Sequence, residues 1–354
     1  MNPQHHHEFK NGVLRGLIWV LLAGLLLVIA NLAAAATKVD RSSMLFPYYE
    51  TDDVLGSVAT HHYAKDTAAL LAQIASLNKA TSQFCAGDST LERVKAQHAK
   101  AYLAWLELSA VVMGPMLEHN TVRQIDFRPM RLNLLERAIK KQPKGAKSMA
   151  LVGSPAKGFP ALEYLLMQAE FKANTPQCNY AQEVVQDISR TVESLSWQPF
   201  NSDMPLYFNQ LVGAIHNLAW ERMEKPLLKS QDQAAAQDEA TWPFEAFDLT
   251  EQAWNAQWKG IAELLVVQTV NVPEADAQLV PLEAYLRGLG KIDLADALVN
   301  HCDAVGATLR SIDTAQVASV EQAVKATKAL KNFLETEVAK GLKVSIQFSS
   351  SDGD

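Results

Sequence analysis

An all-α fold of two related helical bundles packed side by side is predicted by three observations. Apolar residues recur every three or four positions through most of the chain, alternation with a period of two is nearly absent, and one proline-containing polar break interrupts the long helical patterns. That break, Trp197-Gln198-Pro199-Phe200-Asn201-Ser202-Asp203, divides the chain into a leader at 1–36, an N-terminal bundle at 37–200 and a C-terminal bundle at 201–354. No repeat at fixed spacing accompanies it, so a relation between the halves is not written in the letters themselves.

Taken in order, the leader comes first. Lys10 and Arg15 precede an apolar run from Leu17 to Leu32 that ends in Ala33-Ala34-Ala35-Ala36. A positive start, a short apolar stretch and small residues before a cut site are the pattern of a secretory signal peptide. The run is shorter than the ~20 residues a spanning helix prefers, and Asn31 interrupts it. Cleavage is the expected outcome, with an uncleaved N-terminal anchor as the alternative and a periplasmic or exported location in the first case. His5, His6 and His7 fall in the segment removed.

Helical periods follow at Thr60–Gln83, Ser89–Gly114, Thr121–Lys141, Pro160–Phe171, Pro176–Ser196, Met204–Lys229, Phe244–Thr269, Leu282–Leu309 and Thr314–Lys340. In the second of these, Val94, Ala101, Tyr102, Trp105, Leu108 and Val112 form one stripe, while Glu92, Arg93, Lys95 and Lys100 fill the other face. Ser89 with Glu92 reads as a capping box, and Gly114-Pro115 as a stop. The last period carries Thr327 as the one polar residue in its apolar stripe. Gln231–Gln237 reads as an exposed linker, and Lys343–Phe348 shows the one short alternating stretch.

Composition excludes several classes. The 354 residues are 48% hydrophobic and 20% charged, enough for a proper core and too apolar for whole-chain disorder. A net charge of −7 argues against nucleic acid as a partner. Loss of residues 1–36 removes Glu8, Lys10 and Arg15 and leaves 318 residues with a net of −8. Three cysteines are too few for a disulfide-dense scaffold or a Cys-rich metal module. Cys85 and Cys178 lie in turn-like stretches, and in an oxidising compartment they are expected to pair; Cys302 sits in a helical pattern as a buried thiol. Connectivity is not determined by sequence, so a pairing through Cys302 stays open.

Most chemical templates fail. H-E-x-x-H, G-x-S-x-G and a strand-borne G-x-G-x-x-G are absent. Gly153 and Gly158 have phosphate-loop spacing, but Phe159-Pro160 stand where Lys-Ser/Thr must follow. His61 and His62 are adjacent and point apart on a helix, and His98, His119, His216 and His301 are isolated, which reads as surface or satisfied core histidines. Trp242, Trp254 and Trp258 read as packing anchors.

Four short segments, in this order, carry a resemblance: Tyr102-Leu103-Ala104-Trp105 with Met113-Gly114-Pro115; Ile125-Asp126-Phe127-Arg128-Pro129; Gly158-Phe159-Pro160-Ala161-Leu162-Glu163-Tyr164-Leu165-Leu166; and the tail from Ile346 to Asp354. Together they resemble the imelysin-like family over essentially the whole mature chain. The resemblance implies two related helical bundles, a periplasmic or surface location, a link to iron uptake, and a metallopeptidase motif G-x-H-x-x-E. Gly158 and Glu163 match that motif, but Pro160 replaces its histidine. Proline offers no donor atom, so the motif's metal-binding pair is broken, while Pro160 suits a helix's first turn and Glu163 a place near the helix N-terminus.

The candidate ligand-binding residues are therefore Gly158, Pro160, Glu163, Asp126, Arg128, Arg131, Asp352 and Asp354. Arg128 and Arg131, three apart, could face one way and hold an anionic or chelated ligand, or else form ion pairs with Glu163 or Asp126. Asp352 and Asp354 are oxygen donors suited to a hard cation, or part of an acidic tail. The cofactor is open, with iron or another divalent cation as candidates. The expected partners are a small ligand or metal and an envelope iron-uptake component, with no nucleic acid, and membrane contact only through an uncleaved leader. The expected function is non-catalytic binding of a ligand in a groove between the two bundles, serving iron or haem acquisition; the alternative is a metallopeptidase of the imelysin type using ligands other than the missing motif histidine.

Overall fold

A computed structural model of the protein describes residues 41, 44–197, 203–231, 242, 244 and 247–346. The leader, most of the 231–237 linker, and Asp352 and Asp354 lie outside the described residues. Among the described residues there is no strand, and residues from Leu45 onward form one compact unit. No helix among them is long and apolar enough to cross a membrane.

The chain begins with α1 (Thr51–Ser57), which runs through a π-helical turn at Val58–Tyr63 into α2 (Ala64–Ala86). Buried Leu70, Ile74, Leu77 and Thr81 make the inward stripe of α2, and Gly87, at φ 90°, ends it. Next, α3 (Leu91–Leu108) starts on Thr90, whose hydroxyl accepts from the Arg93 N–H. The cap is thus Thr90 rather than the Ser89 expected from the capping-box pattern. Gly114-Pro115 does not end this helix. It opens α4 (Gly114–Glu118), because proline in a first turn sacrifices no intrahelical hydrogen bond.

The expected helix over Thr121–Lys141 is broken in two: α5 (Thr121–Ile125) and α6 (Leu132–Lys141). Pro129 explains the break, since it cannot donate to the helical ladder and restricts the residue before it. After α7 (Gly145–Met149) and a 3₁₀ turn at Ser154–Ala156 come α8 (Gly158–Met167) and α9 (Pro176–Glu193). Beyond the mid-chain break, α10 (Met204–Asn217) passes through a second π-helical segment, Leu218–Glu224, into α11 (Lys225–Gln231). The remaining helices are α12 (Thr250–Leu265), α13 (Leu282–Gly288), α14 (Ile292–Arg310), α15 (Val317–Phe333) and α16 (Ala339–Leu342), the last two joined by a π-helical turn at Leu334–Val338. Gly290, at φ 71°, separates α13 from α14 where one helix was expected. The alternating stretch is irregular backbone up to Ile346.

Helices from both sides of residue 200 contribute to one buried core that extends from Tyr49 to Ala339. Helix α2 packs on α3 and α9, and α12 packs on α3 and α14. The α3–α12 contact depends on Gly260, where a Cβ would fall on the carbonyl oxygen of Glu107. Trp105 and Trp254 are fully buried and Trp242 meets Trp254 edge-on, as packing anchors do. Thr327 buries its hydroxyl by donating it to the Ala323 carbonyl, 2.8 Å away. A second polar feature is embedded in apolar surroundings: Glu283, with no exposed surface, accepts from the Val267 N–H and from Arg287, which reaches on to Asp296.

Cys85 and Cys178 are bonded, with Cα atoms 5.6 Å apart, and Cys302 is a buried free thiol whose pKa burial drives well above its ordinary value. The two bonded cysteines sit not in loops but in the last turn of α2 and the first turn of α9. They are separated by 93 residues. Closing a loop of that length removes denatured-chain entropy equivalent to up to about 4.7 kcal/mol. Replacing both with serine is expected to lower the unfolding free energy by about 2–5 kcal/mol, read from urea unfolding at neutral pH; an unchanged midpoint would show that the bond contributes nothing to stability.

Candidate functional site

Because α5 stops at Ile125, the chain between 126 and 131 runs in irregular conformation. Asp126 and Arg128 are thereby lifted out of helical register, and Arg128–Pro129 is a cis peptide. Facing them is α8, whose first residue, Gly158, has φ 77°. A Cβ there would collide with the carbonyl oxygen of Ile125, so a glycine is required both by its backbone conformation and by the closeness of α5. Pro160 is buried in the first turn of α8, and Glu163 follows three residues later on the side toward Arg128.

Arg128 ties these pieces together. Its Nε donates to Asp126 Oδ1 at 3.0 Å, and its Nη2 donates to Glu163 Oε2 at 2.7 Å and to the Tyr102 hydroxyl at 2.9 Å. Tyr102 in turn donates to Asp126 Oδ2 at 2.9 Å. The Asp126 and Glu163 side chains are 4% and 14% exposed, while that of Arg128 keeps 31%, so one edge of the network meets solvent. The Arg128 guanidinium also lies over the rings of Tyr102 and Phe244, 5.4 and 5.1 Å from their centroids, and Arg222 lies over Phe244 as well.

The electrostatics follow from this enclosure. Burial by itself disfavours the Arg128 charge, but Tyr102, Asp126 and Glu163 outweigh it and push the pKa further up, so this cation is permanent. Burial, reinforced by Asp126, raises the Tyr102 phenol well above its ordinary value and keeps it a neutral donor. Beneath it His98, 1% exposed, stacks on Phe247 and on Tyr102, with ring centroids 4.8 and 6.0 Å away. Burial, then the nearby Arg128 charge, lowers its pKa to about 3, so His98 is a neutral ring at physiological pH.

Of the residues singled out by sequence, Asp126, Arg128 and Glu163 come together as an ion-paired network, and Gly158 and Pro160 form the buried start of the helix that positions Glu163. Arg131 does not join. It caps the N-terminus of α6 and its backbone N–H donates to the Pro155 carbonyl, because the helix that would have aligned it with Arg128 is broken. Tyr102, His98, Phe244 and Arg222 were not foreseen. Tyr102 lies in a segment of the resemblance, but its spacing reads as core packing; His98 sits one turn before it on α3 and reads as an isolated histidine, while Phe244 and Arg222 arrive from distant parts of the chain.

Beside the network an open cleft of about 340 Å³ is lined by Met116, Leu117, Asn120, Arg123, Phe127 and the Asp126–Arg128 edge. Arg123, over the Phe127 ring at 5.0 Å, is the second cation there, in place of the expected Arg131. The metal implied by the family motif does not fit. Pro160 has no donor, and the Glu163 Oε2 that would face a metal receives the Arg128 guanidinium instead. Among the described residues the one group of three metal-capable side chains, His62, Asp66 and Glu263, lies elsewhere and includes none of these.

The fold and site define an all-α protein built around an arginine shared by carboxylates from two chain segments, next to a cleft edged by Arg123 and Arg128. The family model for imelysin, of the peptidase M75 group, matches residues 59–341, and the chain belongs to that family. Two solved structures share its fold. An imelysin-like protein from Psychrobacter arcticum 273-4 is 18% identical, with a TM-score of 0.67 over 84% of this chain and 97% of its own. A putative iron-regulated protein A precursor from Parabacteroides distasonis ATCC 8503 is 13% identical, with a TM-score of 0.65 over 80% and 93%. No curated protein matches the chain.

Two outcomes are expected of this network. Arg128→Met leaves two largely buried carboxylates without their cation. After allowance for the partial exposure of Arg128, the loss is expected to be about 2–3 kcal/mol in urea unfolding at pH 7, and a loss within 0.5 kcal/mol would show the pairing to be energetically idle. His98 binds a proton readily only when unfolded. Its contribution is complete above the unfolded value near 6.5 and is lost as pH falls toward about 3, by up to about 1.4 kcal/mol per pH unit. The difference in stability between the native chain and His98→Phe should carry that slope between pH 6 and 4; a parallel pair of curves would contradict it.

Proposed function

We propose that this imelysin-family protein is an exported, non-catalytic binding protein that takes an anionic metal chelate in the Arg123–Arg128 cleft and serves iron or haem acquisition. The observation that carries the reading is the engagement of Glu163 by Arg128, next to a motif position where Pro160 offers no ligand atom. A carboxylate already neutralised by a guanidinium is poorly placed either to coordinate a catalytic metal or to act as a general base. The Arg123 guanidinium and the solvent-facing edge of Arg128, over an apolar floor, suit a carboxylate-rich or chelated ligand. The likeness to an iron-regulated protein precursor and the signal-like leader support the assignment to iron handling and to export. The family's peptidase name favours the alternative of a metallopeptidase with other ligands, and the same preparation separates the two.

Calorimetric titration with ferric citrate, haem and citrate alone is the test. Saturable binding of at least one iron-bearing ligand is expected, weakened at least tenfold by Arg123→Glu. Absence of binding at high micromolar concentration, or EDTA-sensitive cleavage of unfolded protein by the purified chain, would overturn the proposal.

A further inference from the structure

We infer that His62, Asp66 and Glu263 form a binding site for a borderline divalent transition-metal ion such as Zn²⁺, sharing no residue with the Arg128 cleft. The fold assembles the site from two segments far apart in the chain. His62 belongs to the π-helical turn Val58–Tyr63 and Asp66 follows at i+4 in α2. Glu263 comes from α12, three residues after Gly260, where that helix presses against the α3 backbone.

Geometry is the first argument. His62 Nδ1 lies 3.5 Å from Asp66 Oδ2 and 3.4 Å from Glu263 Oε2, and one donor atom from each residue lies within 4.8 Å of the others. A tetrahedral ion with bonds of about 2.1 Å separates neighbouring ligands by roughly 3.4 Å, so both histidine–carboxylate separations already suit a shared ion. One imidazole nitrogen with two carboxylate oxygens is a donor set for borderline first-row divalent ions.

The second argument is unmet polar demand. His62 is 1% exposed and Asp66 5%, yet His62 Nδ1 and Asp66 Oδ2 are buried without a hydrogen-bond partner. Their mutual contacts have ion-pair distances without hydrogen-bond geometry, and such atoms are costly unless something satisfies them. A metal ion would satisfy both. The Glu263 side chain, 15% exposed, also lines a cleft of about 270 Å³ with His61, Val267, Thr269 and Pro273, which gives an ion a route in and a fourth position for solvent.

Lys65 supplies the control. Its ammonium lies 2.8 Å from Glu263 Oε2 and 3.3 Å from Asp66 Oδ1, while 55% of its side chain is exposed. Lys65 thus supplies positive charge where the ion would sit, and its long stem lets it swing into water when the ion arrives. Metal and ammonium compete.

The full chain, carrying His5, His6 and His7 each replaced by alanine to remove an unrelated binder, is stripped with EDTA and titrated with Zn²⁺ against a chromophoric chelator. One saturable site is expected. It should weaken at least tenfold in both His62→Ala and Glu263→Gln and tighten at least threefold in Lys65→Met, and Zn²⁺ should raise the Tm of the parent but not of Glu263→Gln. Should His62→Ala fail to fold, the part-exposed Glu263→Gln decides. Equal Zn²⁺ affinity in the parent and Glu263→Gln, or Lys65→Met binding no tighter than the parent, would overturn the assignment.

Discussion

One guanidinium, that of Arg128, holds together a region that would otherwise place two carboxylates side by side in partly dry surroundings. Asp126 and Glu163 come from different segments and would repel if both were ionised without a cation between them. Arg128 answers both, and Tyr102 closes the ring by donating to one carboxylate while accepting from the arginine. Because the fork of donors is rigid and planar, its directions constrain where the 126–131 stretch and α8 can sit. The aromatic faces of Tyr102 and Phe244 then complete an enclosure that a lysine would not fill equally well.

This network exists only because two backbones approach unusually closely. At Gly158 the start of α8 comes against the carbonyl end of α5; at Gly260, α12 comes against the end of α3. In each case a single methyl group would force the helices apart, and in each case polar residues meet a few positions away: Asp126, Arg128 and Glu163 near the first, His62, Asp66 and Glu263 near the second. Close packing of helices is thus what turns scattered charged residues into sites. The buried Glu283–Arg287 pair, which extends to the part-exposed Asp296, shows the same chemistry used differently, since Glu283 is fully buried and accepts from the Val267 N–H just beyond α12.

The chemistry available at the Arg128 site follows from what occupies it. In a motif with histidine three residues before the glutamate, both side chains could share an ion. Here the proline contributes helix geometry and nothing else, and the glutamate has become half of an ion pair. Arg128 keeps its positive charge and His98 stays a neutral ring, while Asp126 and Glu163 both accept hydrogen bonds from Arg128.

The sequence alone determined the helical class and the broad positions of most helices, because period is a local property; it favoured the Cys85–Cys178 pair and a buried Cys302, but the fold settled the connectivity. It also pointed to Asp126, Arg128 and Glu163. Tertiary structure decided how those three are used. The break at Pro129 removed Arg131 from the face it would have shared with Arg128, and the cleft took Arg123 instead. Tyr102 reads as a stripe residue and His98 as an isolated surface or core histidine until packing surrounds them with Phe159, Phe244 and Phe247. His62 and Asp66 are an ordinary i, i+4 pair in the letters; Glu263 reaches them only because Gly260 lets α12 approach α3. Periodicity says which face of a helix turns inward, but which distant side chain awaits it there depends on how closely the backbones can pack.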